Sequence, residues 1–340
     1  MPLFDELAAW RRATAAQREA AARDLAARLP AGFAFDGIRR FALGGVAHDV
    51  AQYTAGGALF SLIPGGPATL GFDVGGWRPT PAMHESWQDM AEEYGLEESL
   101  ADYVAARSAR VREVALPPLL AETLHAEVGW QPIDPASEKV RALLAEHPRG
   151  VTEHADIVTR VEVAPDGRVS AWQADEDALS HALVADGFAA QGFRLPSPDE
   201  WEHLCAAGAR GFFRWGDEAP MDRYPTDISP EEAEWRRQWV RAAGRLEKPA
   251  EGFASDWEFH RLPNAWGLQI AADPYKYELT AQRGLTRGGD GGCAICGGAG
   301  FLSGWLPLAS AWHDPDFCEH APGEEISLGY TVARRILPLA

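Results

Sequence analysis

The sequence predicts an α+β domain with short elements, many loops and a helix at its N-terminus. Three counts support this prediction: the 340 residues include 34 glycines, 24 prolines and 13 tryptophans. Glycine and proline interrupt helices and strands, whereas large indole side chains can fill a core between irregular loops. Because 46% of the residues are apolar, the chain can bury a sizeable core, and we expect an ordered structure.

The hydrophobic pattern predicts the order of the elements. Leu7, Trp10 and Leu25 recur at roughly helical spacing, which predicts one helix over residues 4–29. Short apolar runs separated by glycine pairs over residues 33–72 predict a β-meander. Further helices are expected after Ser197 and over residues 82–110, 136–146 and 177–189, and a hairpin is expected around residues 165–167. Residues 231–249 are expected to form a surface helix or an excursion from the domain.

The charge of the chain argues against two classes of partner. The 50 acidic and 31 basic residues give a formal net charge of −19, which repels phosphate backbones and anionic membrane surfaces. The N-terminal stretch is amphipathic and charged throughout, unlike a signal peptide or a span of ~20 apolar residues. We therefore expect a cytoplasmic protein with no nucleic-acid partner and no membrane partner.

The sharpest local feature is a pair of cysteines in a glycine-rich segment, RGGDGGCAICGG. Cys293 and Cys296 are separated by two residues, so their sulfurs can converge on one soft ion, and thiolates select Cu(I), Zn(II) or an iron–sulfur cluster. The same spacing suits a redox disulfide, and inert core thiols are a third interpretation. Cys318, with His320 and the nearby His313, could complete a four-ligand zinc site.

Other common catalytic motifs are absent from the sequence. The chain has no G-x-S-x-G elbow, no G-x-x-x-x-G-K-[ST] phosphate loop and no H-E-x-x-H zinc helix. These absences argue against the hydrolase and NTPase classes that depend on those motifs.

Five blocks of sequence follow one another in an order typical of a known family. They are FSLIPGGPATLG at 60–71, FRLPSPDEWE and FRWGDE within 193–218, PNAWGL and YELT within 263–280, RGG at 287–289, and GYTVAR at 329–334. Together they resemble the formylglycine-generating enzyme and sulfatase-modifying-factor family. The resemblance implies a loop-rich variant of the C-type-lectin fold over residues 59–340. Residues 1–58 would then be a helix and strand extension packed on that domain.

The same resemblance implies a chemistry for the cysteine pair. Catalytic members of the family bind Cu(I) with two cysteines after an R-G-G-S motif, activate O₂ and oxidise a substrate cysteine to formylglycine. By this resemblance Cys293 and Cys296 bind copper(I). Asp290, at the position of the family's serine, orients oxygen or relays a proton. Cys296 stands two residues nearer to Cys293 than the family's second cysteine does.

Polar residues within the blocks are expected to have structural roles. The family's calcium positions match Asn264 and Glu278, and Asp273 is the expected third oxygen ligand of a structural calcium ion. Buried ion pairs that fix the loops are expected among Arg194, Glu200, Asp217 and Arg334.

Two functional hypotheses follow from these patterns. In the first, the chain is a copper-dependent oxidase that acts with O₂ on a thiol in a peptide or a small molecule. In the second, it is a non-catalytic binding module on a lectin-like scaffold, and its cysteines are structural or hold zinc. A metalloenzyme of some other chemistry is the remaining alternative.

Overall fold

The computed structural model describes residues 2–155, 157–227, 258–298, 300–321 and 323–339, and it shows an α+β structure built from several small sheets and short helices. The surface helix or excursion expected over residues 231–249 lies outside the described residues. Within the described ranges, none of the helices has both the length and the apolar character that a bilayer-crossing segment requires.

The elements are named in chain order over the described residues. The α-helices are α1 (Leu7–Arg12), α2 (Ala15–Ala26), α3 (Pro81–Tyr94), α4 (Leu100–Ala106), α5 (Glu138–Glu146), α6 (His181–Ala189), α7 (Pro198–Ala206), α8 (Gly291–Gly297), α9 (Phe301–Trp305) and α10 (Pro315–Cys318). The strands are β1 (Ala34–Leu43), β2 (Val46–Ala55), β3 (Ala58–Ile63), β4 (Gly66–Leu70), β5 (Arg112–Leu116), β6 (Leu119–Glu122), β7 (Ala126–Glu127), β8 (Gln131–Pro132), β9 (Gly150–Glu153), β10 (Val158–Val163), β11 (Val169–Ala174), β12 (Tyr277–Leu279), β13 (Thr286–Arg287), β14 (Thr331–Ala333) and β15 (Ile336–Pro338).

The five-stranded sheet combines the first three strands of the chain with its last strand. Its order is β1-β2-β3-β6-β15, and every neighbouring pair is antiparallel. Strands β1 and β2 belong to the expected extension of residues 1–58, so the extension shares main-chain hydrogen bonds with β3. Helix α2 covers this sheet: Tyr53 is fully buried and donates its hydroxyl hydrogen to the carbonyl of Ala22 at 3.0 Å.

The prediction of one continuous helix over residues 4–29 is wrong. A 3₁₀ turn at Leu3–Asp5 is followed by α1 and α2, which are separate helices. The break lies at Thr14, whose extended backbone and side chain form a capping box with Gln17. Because the capped N-terminus of α2 satisfies its own N–H groups, the chain changes direction there.

The remaining local predictions have mixed outcomes. The segment 82–110 forms two helices rather than one, because Gly95 adopts the left-handed conformation, with φ of 66°, and ends α3. Helices α5 and α6 lie within their predicted ranges, and β10 and β11 form the expected hairpin. Helix α7 begins as predicted, with Ser197 as its cap and Pro198 in the first helical position.

Three of the four residues expected in buried ion pairs form ion pairs, and the expectation is wrong for Asp217. Arg194 and Glu200 pair at 2.6 Å as expected, but only Glu200 is buried, since the Arg194 side chain is 35% exposed. Arg334 pairs at 2.8 Å with Glu278, and the two side chains are 0% and 4% exposed. Asp217 instead accepts a hydrogen bond from a backbone N–H at 2.8 Å. Arg334 therefore balances the carboxylate that the sequence assigned to calcium.

The cysteine pair is positioned by a second sheet and an aromatic core. This sheet has the order β13-β12-β14-β7, and three residues separate the end of β13 from the start of α8. Ala294 in α8 packs against a core that contains Trp87, Trp305 and Trp312. One face of α8 is thereby attached to the protein, and the opposite face is left for solvent.

Candidate functional site

The helix that carries the two cysteines is capped by Asp290. The Oδ1 atom of Asp290 accepts a hydrogen bond from the backbone N–H of Cys293 at 2.7 Å. Such a bond satisfies a donor that a helix N-terminus would otherwise leave free. At the other end, Gly298 adopts the left-handed conformation and stops the helix after two turns. Residues 290–298 therefore contain their own start and stop signals.

Both sulfurs of the pair are free and exposed to solvent. Cys293 and Cys296 are unpaired thiols with exposed side chains, whereas Cys205 and Cys318 are buried. Positions three residues apart lie on the same face of a helix, so the two thiols share the outer face of α8. The two thiols therefore do not lie in the core, as the interpretation of them as core thiols requires.

Tyr275 contacts the second of these cysteines. Its hydroxyl oxygen lies 3.2 Å from Sγ of Cys296, within hydrogen-bonding distance. This hydrogen bond is the main reason why the pKa of Tyr275 is raised to about 12. The ring can lie against α8 because Gly292 has no side chain, and a Cβ atom there would overlap the ring.

The ring of Tyr277 contacts a second glycine, Gly289, which precedes the helix cap Asp290. A Cβ atom at Gly289 would lie 2.6 Å from the Tyr277 ring, so the glycine permits this approach. Burial raises the pKa of Tyr277, and the charge of Asp290 raises it further. Tyr277 therefore stays a neutral phenol beside Asp290.

The charge of Asp290 makes the environments of the two thiols different. Asp290 is the largest cause of the raised pKa of Cys293, since a neighbouring negative charge disfavours the thiolate. Thiolates are the nucleophilic form of cysteine. Cys293 is therefore a poor nucleophile near neutral pH unless a cation offsets the charge of Asp290.

The residues expected to complete a zinc site with the pair have other partners. Cys318 is fully buried, and burial raises its pKa to about 12. The Nε2 atom of His320 lies 3.1 Å from Oγ1 of Thr286, and Nε2 of His313 lies 3.2 Å from a carboxylate oxygen of Glu319. Over the described parts of the chain, no three His, Cys, Asp or Glu side chains form a group that could hold a metal ion.

The three residues expected to bind calcium also form contacts within the protein. The Oδ1 atom of Asn264 accepts two backbone N–H groups at 3.0 and 3.2 Å. Asp273 accepts the backbone N–H of Tyr275 at 2.9 Å, and both carboxylate oxygens of Glu278 accept from Arg334. These contacts give each residue a structural role without calcium, and the calcium site stays a prediction.

Sequence reasoning identified the cysteines and Asp290 but missed Tyr275 and Tyr277. The two tyrosines alternate on the segment PYKYE, and two glycine pairs flank Asp290, but neither pattern alone reveals that rings and glycines meet. Comparison of the chain with protein-family models gives no match, and comparison with curated proteins gives none either. The resemblance to the formylglycine-generating enzyme family therefore stays a prediction from its motifs.

Proposed function

We propose that the chain is a copper-dependent oxidase of the formylglycine-generating type that acts with O₂ on a thiol in a peptide or a small molecule. One observation carries the proposal: Cys293 and Cys296 are two free, exposed thiols on one face of a capped helix. The five sequence blocks support the accompanying assignment of a C-type-lectin-like fold.

The donor set fits a copper(I) ion. Thiolate sulfur is a soft ligand, and soft ligands favour Cu(I) over hard divalent cations. Binding requires both thiols to lose their protons, which makes affinity depend on pH. The charge of Asp290, which raises the pKa of Cys293 in the metal-free protein, attracts a cation to the same place. The thiolate of Cys293 is thus disfavoured until a positive ion offsets the charge of Asp290.

The surrounding residues would have defined tasks in such a site. Bound copper(I) would supply the electron transfer that activates O₂. The Asp290 carboxylate lies beside Cys293 and can receive the proton that leaves this thiol. Tyr277 stays protonated next to Asp290 and can donate a hydrogen bond to that carboxylate. Because the sulfurs face solvent, a substrate thiol can approach without an opening motion.

The proposed reaction balances with an external thiol as reductant. In oxidation of a peptide cysteine to an aldehyde, the Cβ–S bond breaks and sulfur leaves as hydrogen sulfide. One oxygen atom of O₂ becomes the aldehyde oxygen, and the other leaves as water. The two additional electrons and two protons come from two molecules of the reductant thiol, which form a disulfide. A reducing compartment such as the cytoplasm supplies thiols of this class.

The test combines metal content with oxygen consumption. Protein purified under reducing conditions is loaded with copper(I), and oxygen uptake is followed with cysteine peptides and small thiols. We expect near-stoichiometric copper and thiol-dependent uptake in the wild type, and the loss of both in Cys293→Ala and Cys296→Ala. Ala294→Ser on the same helix is the matched control and should keep both. Copper and oxygen uptake that persist in the cysteine variants would refute the proposal.

The binding-module hypothesis also has support in the structure. Tyr94 and Tyr330 are 51% and 49% exposed, and aromatic side chains of this kind are common in recognition surfaces. The hydroxyl of Tyr94 reaches the carbonyl of Gly297 at 3.4 Å, which places it beside α8. A wild-type chain that binds no copper and consumes no oxygen would favour this second function.

A further inference from the structure

Tyr275 contacts one sulfur of the pair from a separate segment of the chain. Its hydroxyl group lies 3.2 Å from Sγ of Cys296, and the two residues are 21 positions apart. We infer that Tyr275 is a positioning residue, which holds the Cys296 sulfur in place as a metal ligand by donating a hydrogen bond to it. The inference deepens the proposed function and rests on it, because it concerns the same site.

The position of Tyr275 does not depend on the cysteine. Its backbone N–H donates to Oδ1 of Asp273 at 2.9 Å, and this bond fixes the turn that carries it. Pro274 in the same turn packs on α8, since a Cβ atom at Gly291 would lie 3.0 Å from the proline. The ring itself lies against Gly292. The contacts of Pro274 and the Tyr275 ring with α8 therefore hold the hydroxyl group within hydrogen-bonding distance of the sulfur.

The direction of the hydrogen bond follows from the chemistry of the two groups. A thiolate that binds a metal has no hydrogen, so the phenol of Tyr275 must be the donor. Hydrogen bonds to a charged acceptor are stronger than those between neutral groups. Groups that hydrogen-bond to metal ligands also fix the orientation of those ligands. The phenol therefore both stabilises and orients the sulfur of Cys296.

The first cysteine has no equivalent donor among the contacts described for its side chain. The neighbour with the largest effect on Cys293 is Asp290, and an ionised carboxylate only accepts hydrogen bonds. The two sulfurs are thus held differently: Cys296 by a donor on a separate segment, and Cys293 through the helix that Asp290 caps. This asymmetry predicts that removal of one hydroxyl group affects the pair even though both cysteines remain.

The test compares two substitutions that each remove one tyrosine hydroxyl near α8. Tyr275→Phe keeps the ring against Gly292 and loses only the contact with sulfur. Tyr94→Phe is the matched control, because its hydroxyl reaches the Gly297 carbonyl at 3.4 Å and no cysteine. Each full-length protein is titrated anaerobically with copper(I) against a competing chelator, and the sulfur-to-copper absorption band is recorded.

We expect Tyr275→Phe to weaken copper(I) binding on the order of tenfold and to shift the absorption band. Tyr94→Phe should change neither quantity. Equal affinity and an unshifted band in Tyr275→Phe would overturn the inference while leaving the proposed function in place. An equal loss in Tyr94→Phe would also overturn it. A wild-type chain that binds no copper would overturn the inference together with the proposed function.

Discussion

Glu278→Gln should destabilise the protein far more than the loss of an exposed ion pair. The side chains of Arg334 and Glu278 are 0% and 4% exposed, and the guanidinium donates to both carboxylate oxygens at 2.8 and 3.4 Å. Its other donors reach the backbone carbonyls of Glu122 and Gln269. The substitution removes the negative charge and leaves the buried positive charge without compensation.

The magnitude follows from this burial. Breaking a buried ion pair by removing one partner costs about 3–5 kcal/mol of the free energy of unfolding, because the remaining charge stays desolvated. Glu19→Gln is the control, since Glu19 and Arg23 have side chains that are 52% and 65% exposed. An exposed pair of this kind on one helix contributes about 0.5 kcal/mol or less.

The stability losses of the two variants can be measured by urea unfolding, with tryptophan fluorescence as the signal. We expect the transition midpoint of Glu278→Gln to fall with an unchanged slope, which indicates a change in stability rather than in the surface exposed on unfolding. The midpoint of Glu19→Gln should stay close to that of the wild type. A loss of less than about 1 kcal/mol in Glu278→Gln would contradict the assigned role of the pair, because this is the range of exposed pairs.

Three further predictions concern the packing, the pH dependence and a helix cap. Gly292→Ala should destabilise the protein by about 1–3 kcal/mol, because the added Cβ atom would overlap the ring of Tyr275. Gly187→Ala should stabilise the protein by about 0.5–1 kcal/mol, because a Cβ atom at this helical position meets no neighbouring atom. Urea unfolding measures both changes. Burial lowers the pKa of His48 from 6.5 to about 4, so the unfolded chain takes up a proton first as the pH falls. His48 should contribute a loss of up to about 3 kcal/mol in the free energy of unfolding between pH 6.5 and about 4, so His48→Gln should lose less than the wild type over this range. An equal dependence of the free energy of unfolding on pH in the two proteins would contradict this. Ser197→Ala should lower the free energy of unfolding by about 1 kcal/mol by removing the cap of α7, and an unchanged urea midpoint would oppose this.

Short-range signals determined which elements could be predicted from the sequence. Ser197, Pro198 and Glu200 contain the whole capping signal of α7 within four residues, and the structure confirms it. The break at Thr14 carries the same kind of signal, because Gln17 stands three residues later as in a capping box. The prediction of one helix followed the apolar spacing across the break and not this capping signal. Local capping chemistry was the better guide here.

Long-range contacts could not be predicted from the pattern alone. The motif identified Cys293 and Cys296 together, since the spacing of two residues is visible in the sequence. The contact of Tyr275 with Cys296 spans 21 positions, and the pair of Arg334 with Glu278 spans 56. The fold determines which distant residues meet. A charged residue in the sequence therefore indicates that a partner is needed but does not identify it.

In the proposed function, the exposed pair of cysteines holds one copper ion through two sulfurs. X-ray absorption spectroscopy of the copper(I)-loaded chain counts the sulfur neighbours of the metal directly. We predict one copper per chain with Cys293 and Cys296 as its protein sulfur ligands, and loss of the sulfur signal in the double variant Cys293→Ser/Cys296→Ser. Copper surrounded only by nitrogen and oxygen, or an unchanged sulfur signal in the double variant, would contradict the claim.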